Sequence, residues 1–169
     1  MRVVDGVADV DDLDAFLARL DEVAAEHGVT VQAFDARYVV GRTHLERAVE
    51  LADRAIARGE NVARERGVEI LLYAAGRRQI DDALTMGLCE GRTPTAVVVS
   101  DADGDDAAEA AAAAAVEDLL DPATTLDDDD DDAGRIRGFF DVTETELDAT
   151  DGDLADLVAE RVALLDVEK

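Results

Sequence analysis

The sequence has very little of what most catalytic and metal sites require. It contains one cysteine, Cys89, and two histidines, His27 and His44, too few for a disulfide within the chain or for a zinc cluster. Ser100 is the only serine, and no histidine lies near it in the sequence. Neither a Gly-Lys-Ser/Thr loop nor a Gly-x-Gly-x-x-Gly turn for nucleotide phosphates occurs. We therefore expect no catalytic residues, no metal site and no bound cofactor.

Long apolar runs are also missing. No stretch approaches the roughly 20 apolar residues that a membrane span needs, and the N-terminal MRVVDGVADV lacks the apolar segment and cleavage site of a secretory signal. These absences predict a soluble, cytoplasmic protein that has no membrane partner. With 169 residues, the chain is most simply a single domain over 1–169.

Basic residues are scarce, since 16 Arg and Lys stand against 42 Asp and Glu, for a net charge of −26. Such an imbalance can indicate disorder, but 48% of the residues are hydrophobic and recur at regular spacing, which favours a folded chain. Strongly acidic surfaces keep proteins soluble in concentrated salt at the cost of self-repulsion. We therefore predict a halophilic origin.

The acidic residues are unevenly distributed. The segment 37–92 carries ten Arg against nine Asp or Glu, so it is close to neutral in an otherwise acidic chain. This local neutrality hints at a face for an anionic partner. By contrast, residues 127–132 are six consecutive aspartates, which repel one another and predict a solvated acidic loop.

Hydrophobic periodicity predicts an α/β fold, with a small mixed sheet and about six to eight helices packed around it in a single compact domain. The predicted strands cover 2–7, 29–34 and 96–99. The predicted helices follow Asp11 or Asp12, Thr43 and Asp153, with an alanine-rich helix over 107–116. The strand over 96–99 is fully apolar and β-branched, which is typical of an interior strand.

The segment 69–87 places polar side chains directly after a very apolar run. Residues 70–75 are Ile, Leu, Leu, Tyr, Ala and Ala, Gly76 breaks the run, and an Arg-Arg-Gln triplet at 77–79 follows. This order predicts a buried helix that ends in a turn, with two guanidiniums and an amide at the start of the next helix. Alternatively, the two arginines only pair with Asp81 and Asp82 at the surface.

Several short motifs together make the chain resemble a known family. They are Phe-Asp-Ala at 34–36, Gly-Arg-Thr-His-Leu at 41–45, Ala-Gly-Arg-Arg-Gln-Ile at 75–80 and Glu-Arg-Val-Ala-Leu-Leu at 160–165. With them the chain resembles the smallest accessory subunit of the KEOPS complex, the PRPK-binding protein family, over nearly its whole length. That complex makes threonylcarbamoyladenosine in tRNA. The aspartates at 127–132 depart from the family pattern and are interpreted as an insertion.

The resemblance implies a non-catalytic protein that activates the kinase-like ATPase subunit of KEOPS and captures the single-stranded CCA end of tRNA. The residues that we assign to RNA binding are Arg78, Gln79, Arg77, Arg42 and His44. Arg78 and Gln79 come first, because the family varies at the position of Arg77. His44 also fits a simple role in the first turn of a helix.

For the kinase-like subunit, we expect an apolar surface on the helix after Gln79, formed by Leu84, Met86 and Leu88. The alternative is that these three residues complete the core. Two rival functions also stay open. One is a protein-binding regulator of a kinase-like partner with no RNA contact; the other is an enzyme on a nucleotide-binding α/β fold, which the missing glycine loop disfavours.

Overall fold

The computed structural model describes residues 1–127 and 130–167, and within them the chain forms four β-strands and eight α-helices. The strands are β1 (Arg2–Val10), β2 (Thr30–Asp35), β3 (Gly91–Ser100) and β4 (Asp121–Pro122). The helices are α1 (Leu13–His27), α2 (Arg42–Arg58), α3 (Arg66–Ala75), α4 (Ile80–Ala83), α5 (Asp106–Glu117), α6 (Asp130–Phe139), α7 (Glu144–Ala149) and α8 (Leu154–Val167). The predicted α/β class is confirmed.

The strands form one sheet in the order β2-β3-β1-β4, and each neighbouring pair is antiparallel. The expectation of a mixed sheet is therefore wrong, because strand direction depends on the path of the connections, which local residue spacing does not record. The interior position of the strand over 96–99 is confirmed: β3 pairs with β2 on one side and with β1 on the other, and Val97, Val98 and Val99 are fully buried.

Contacts within the chain group it into two units. The first, Met1–Ala36 with Gly87–Thr125, contains the whole sheet and helices α1 and α5, which pack on it. β1 runs through Gly6 and ends at Val10, three residues beyond the predicted end at residue 7. A Cβ at Gly6 would lie 2.8 Å from the carbonyl oxygen of Asp121, so the glycine is what lets β4 pair closely with β1. The core cluster of this unit includes Val4, Ala8, Val10, Phe16, Leu20, Val97, Val99, Ala112 and Val116.

The second unit, Arg37–Met86 with the described residues from Leu126 onward, is helical. Helix α2 packs against α3 and α8, and the apolar run 70–75 of α3 is buried, as predicted; Glu69 before it is buried as well. The predicted cap of α2 at Thr43 is wrong. The helix begins at Arg42, and its N-cap is Gly41, two residues before the predicted cap; the φ of Gly41, 143°, is a conformation that favours glycine.

The acidic run differs from its prediction. Helix α6 begins at Asp130, so the predicted loop is wrong from that residue onward; Asp128 and Asp129 lie outside the described residues. Acidic residues are favoured in the first turn of helices in general, so an aspartate run is compatible with a helix start. That the run is an insertion, and that 1–169 is a single domain, stay predictions. None of the helices in the described residues has the length and apolarity needed to cross a bilayer.

Candidate functional site

Helix α3 ends in a tightly held turn at Gly76. The glycine adopts the left-handed conformation, with φ 60°, and its amide donates to the Tyr73 carbonyl at 3.1 Å. The next amide, of Arg77, donates to the Leu72 carbonyl at 3.0 Å. A Cβ at position 76 would lie 3.4 Å from the backbone oxygen of Arg161 in α8. The direction in which the chain leaves α3 is therefore set both by the cap and by close packing.

The side chain of Arg77 is held by the C-terminal end of α6. Its Nη2 donates to the carbonyl of Phe139, and its guanidinium lies 4.9 Å from the centre of the Phe139 ring. The carboxylate of Asp141 is 3.9 Å away, and the Arg77 side chain is 33% exposed. Carbonyls in the last turn of a helix lack partners within the helix and favour a cation. Arg77 therefore anchors against α6 the turn at residues 76–79, which we call the corner.

A second arginine completes the capping of this helix end. Arg161 donates from Nε to the Phe140 carbonyl at 3.2 Å, and from Nη2 to the Asp141 carbonyl at 3.4 Å. The same Nη2 lies 2.6 Å from Oε1 of Glu146. The Thr143 amide, and after it the Arg161 guanidinium, lower the pKa of Glu146 by hydrogen bonding to its carboxylate. The polypeptide around residues 139–146 is thus fixed by two guanidiniums.

Arg78 and Gln79 differ sharply from Arg77, because both are exposed. Gln79 is the N-cap of α4 through its backbone only: its carbonyl accepts from the Ala83 amide at 3.1 Å, and its side chain makes no capping bond. Within 1–127 and 130–167, neither Arg78 nor the Gln79 amide group has a hydrogen-bond or ion-pair partner. The alternative that Arg77 and Arg78 pair with nearby aspartates of α4 is not what the structure shows.

Arg42, another residue assigned to RNA binding, lies at the start of α2. It is exposed, and its Nε donates to Oε1 of Glu46 at 2.8 Å, one helical turn further on. An exposed pair of this kind contributes little free energy and exchanges readily. Arg42 is therefore accessible, but its charge is partly balanced by its neighbour.

His44 is placed differently from the other assigned residues. Its ring is 5% exposed, Nε2 donates to the Ala74 carbonyl at 2.8 Å, and Nδ1 accepts from the Val40 amide at 3.4 Å. Burial lowers the pKa of the imidazole to about 4, although the bond to Ala74 opposes that shift. The ring is therefore neutral near pH 7 and joins α2 to α3. The interpretation of His44 as an RNA-contacting residue is corrected to the structural alternative.

The apolar residues assigned to the kinase-like subunit fall into two groups. Met86 is fully buried and Leu88 is 9% exposed, so the expectation that they form a surface is wrong. Leu84 remains 54% exposed, and Ile80, one turn before it on α4, is 43% exposed. Helix α4 is only one turn long and a 3₁₀ turn follows at Leu84–Met86. Residues two positions apart in a helical turn point to different faces, so Leu84 remains exposed while Met86 is buried.

The sequence reasoning missed the aromatic residues next to this corner. The rings of Tyr38 and Phe139 meet edge to face with centroids 5.4 Å apart, and both residues are half-buried. The guanidinium of Arg135 lies 5.9 Å from the centre of the Tyr38 ring. The sequence signal for an unusual helix end is Phe-Phe-Asp at 139–141, which has no glycine. In the structure Asp141 adopts there the left-handed conformation that glycine usually takes, with φ 54°.

Comparison with known families gives a match over nearly the whole chain. The family model described as kinase binding protein CGI-121 matches residues 7–166, which include every residue of the corner. No curated protein matches the sequence significantly. The match agrees with the resemblance that the motifs at 41–45 and 75–80 indicated, and it supports a kinase-binding accessory role. The chain therefore belongs to the CGI-121 family of kinase-binding proteins.

Proposed function

We propose that this protein is a non-catalytic subunit of a KEOPS complex that binds the single-stranded CCA end of tRNA and activates the kinase-like ATPase subunit during threonylcarbamoyladenosine formation. Family membership supports the kinase-binding half of the proposal. The observation that carries the RNA half is the exposed pair Arg78 and Gln79, which follows the rigid Gly76 turn and has no partner within the described residues. A cytoplasmic location and a halophilic origin belong to the same proposal.

The chemistry of this pair suits a single-stranded RNA end. A guanidinium can donate two parallel hydrogen bonds to a phosphate or to a base edge, and an amide can both donate and accept. Because Arg77 is tied to the Phe139 carbonyl, the backbone that carries Arg78 is held in place. A backbone that is already fixed loses less conformational entropy when a ligand arrives. The pair is therefore carried on a rigid support, while its two side chains have no partner within the described residues.

The strongly acidic chain does not prevent this binding in concentrated salt. At 1 M ionic strength the Debye length is about 3 Å, so repulsion between the net charge of −26 and the RNA is largely screened. Long-range attraction is screened as well, so affinity must come from short, directional contacts. Arginine serves this purpose better than lysine because its donors are fixed in a planar fork.

A second function is kept because a specific observation favours it. The family description names kinase binding only, and the apolar side chains of Leu84 and Ile80 are exposed next to the corner. On this alternative the protein is a regulator of a kinase-like partner that has no RNA contact, and Arg78 is merely a solvated surface residue.

One titration separates the two functions. Transfer RNA with and without its CCA end is titrated at high salt against the wild type, Arg78→Glu and the matched control Arg19→Glu. Arg19 lies on α1, is also exposed, and has no partner within the described residues. We expect Arg78→Glu to weaken binding of the complete tRNA at least tenfold, while Arg19→Glu leaves it near the wild-type value. Equal, weak binding in every combination would leave only the regulator.

The kinase-binding half is tested by the ATPase activity of the partner subunit. We expect addition of the wild-type protein to raise ATP hydrolysis by that subunit, and Leu84→Glu to reduce the effect. The control is Leu17→Glu on α1, an apolar residue that is 38% exposed and lies in the other unit. Stimulation that is unchanged in Leu84→Glu would exclude the exposed Leu84, at the start of the 3₁₀ turn after α4, from the kinase-binding surface.

A further inference from the structure

The chain is poor in aromatic residues. All of its Tyr and Phe rings lie in the described residues, and only two of them are accessible. It has two Tyr, four Phe and no Trp. Phe16, Phe34, Tyr73 and Phe140 are buried in the core. The remaining two, Tyr38 and Phe139, are half-buried and touch each other, with centroids 5.4 Å apart and ring planes at 67°. The accessible aromatic surface of the protein is therefore gathered in one place.

A guanidinium lies at each end of this pair. Arg77 is 4.9 Å from the Phe139 ring centre, and Arg135 is 5.9 Å from the Tyr38 ring centre. Both arginine side chains keep about a third of their surface exposed, 33% and 38%. We call these four residues, Arg77, Phe139, Tyr38 and Arg135, the aromatic row. The row begins at Arg77, directly before the exposed Arg78.

The charges around the row are nearly balanced. Asp141 lies 3.9 Å from Arg77, and Asp132 lies 2.8 Å from Arg135. The row therefore carries no excess positive charge that would attract phosphate over a distance. What it offers instead is the exposed part of its two rings and two guanidiniums, while the Phe139 ring also packs edge to face on the buried Phe140, with centroids 4.9 Å apart. Aromatic rings and guanidinium planes both stack on unpaired bases. Stacking is short-range and weakly sensitive to salt. It therefore suits a protein whose net charge repels RNA and whose long-range electrostatic interactions are screened.

We propose that Tyr38 and Phe139, flanked by the guanidiniums of Arg77 and Arg135, form a stacking site for an unpaired nucleobase of single-stranded RNA. This inference rests on the proposed RNA-binding function and deepens it, because it names the part of the surface that takes the bases. Arg78 and Gln79 then contact the backbone or base edges, and the row contacts the base faces.

The absence of tryptophan makes a direct test possible. Phe139→Trp places the only tryptophan of the chain in the row, and a base stacked on an indole quenches its fluorescence. The probes are the trinucleotide CCA, an abasic trinucleotide of the same charge, and inorganic tripolyphosphate. We expect saturable quenching by CCA and none by the other two probes. Quenching by all three to the same extent, or by none, would overturn the proposal.

Two further sets of variants guard against a fold effect. Tyr38→Trp is a second reporter in the same row, and Leu17→Trp on the exposed side of α1 is a reporter that CCA should not quench. In binding assays, Phe139→Leu and Tyr38→Leu keep apolar volume but remove the ring, and we expect each to weaken CCA binding about tenfold. Tyr38→Phe keeps the ring and should bind like the wild type, provided that thermal unfolding shows all variants to be folded.

The failures of the two proposals are distinguishable. If Arg78→Glu weakens tRNA binding but both leucine variants bind like the wild type, the stacking site is wrong and the proposed function stands. If tRNA binds independently of its CCA end and of Arg78, while CCA still specifically quenches the indole fluorescence of the Phe139→Trp variant, the proposed function is wrong and a base-stacking site remains.

Discussion

The buried polar groups in and beside α3 are hydrogen-bonded inside the protein, whereas two polar side chains of the corner that follows it are exposed. Inside the second unit, Glu69 is buried and its Oε2 accepts from the amides of Val62 and Ala63 at 3.0 and 2.8 Å. The buried ring of His44 is likewise bonded through both nitrogens. Directly after α3, by contrast, Arg78 and Gln79 are exposed and have no partner within the described residues.

The difference separates the polar groups that stabilise the fold from those that stay accessible to a ligand. A buried polar group must be satisfied inside the protein, because leaving it unsatisfied costs about 1–3 kcal/mol and more if it is charged. An exposed group loses nothing in the free protein, so it is available to a ligand. Arg77 lies between these two cases, since it is one third exposed yet bonded to the end of α6. Substitutions should therefore have a smaller effect on stability at each step from the interior to the surface.

The largest effect on stability is expected for Glu69→Ala. The substitution leaves the amides of Val62 and Ala63 without their acceptor, and Ala63 is buried although Val62 is exposed, so it should lower the free energy of unfolding by roughly 3 kcal/mol. Urea denaturation measures the change. Glu69→Gln is the matched control, because its amide oxygen can still accept both bonds, and it should lose clearly less. An equal loss in both variants would show that packing, rather than the bonds, dominates.

The next largest effect is expected from His44, which should make the free energy of unfolding depend on pH. The pKa of the folded imidazole is lowered to about 4, against about 6.5 in the unfolded chain. Below pH 6.5 the unfolded state binds more protons than the folded state, so stability falls as the pH drops from about 6.5 to about 4, by roughly 3 kcal/mol in all. The measurement is the difference in unfolding free energy between the wild type and His44→Gln across pH 4–8. A difference that does not vary with pH would contradict the prediction.

A smaller loss of stability is expected for Arg77→Ala. The variant removes one hydrogen bond to the Phe139 carbonyl and the contact between the guanidinium and the ring, which together contribute about 1–2 kcal/mol. Arg77→Lys keeps the charge at the end of α6 and should lose less. Thermal unfolding of the three proteins tests this order. If Arg77→Ala were as stable as the wild type, Arg77 would belong with the exposed residues and not with the anchors.

The smallest effect on stability, within about 0.5 kcal/mol, is expected for Arg78→Ala, because the side chain has no bonding partner within the described residues. The same substitution should weaken binding of CCA-ended tRNA about tenfold, since a charged hydrogen bond contributes on the order of 1.5 kcal/mol or more. Measuring unfolding and binding on one preparation tests both statements. A variant that lost stability but not affinity would reverse the comparison between the two arginines.

Much of the corner could be predicted from local residues. The apolar run at 70–75 and the glycine after it predicted a buried helix that ends in a turn, and the structure confirms both. Apolar spacing also identified the interior strand, and Thr143 with Glu146 forms a capping box that the residue types at 143–146 indicate. These features depend on residues within one turn or one strand, so the signal and the structure that it specifies lie close together in the chain.

Other features depend on partners that are distant in sequence. Arg77 and Arg78 are identical in type, yet the partner of Arg77 is the carbonyl of Phe139, 62 residues away. The buried ring of His44 is satisfied because the Ala74 carbonyl, 30 residues away, accepts a hydrogen bond from its Nε2. Met86 and Leu84 are two positions apart, and the packing of the chain buries only the first.

By itself, the sequence determined most of the elements, the glycine turn and the family, because periodicity, caps and motifs act over a few neighbouring residues. The tertiary structure alone decided which arginine anchors and which is exposed, why His44 is neutral, and that Tyr38 and Phe139 meet. Those outcomes depend on which distant backbone and side-chain groups are brought within bonding distance, and burial then sets the cost of leaving any of them unpaired.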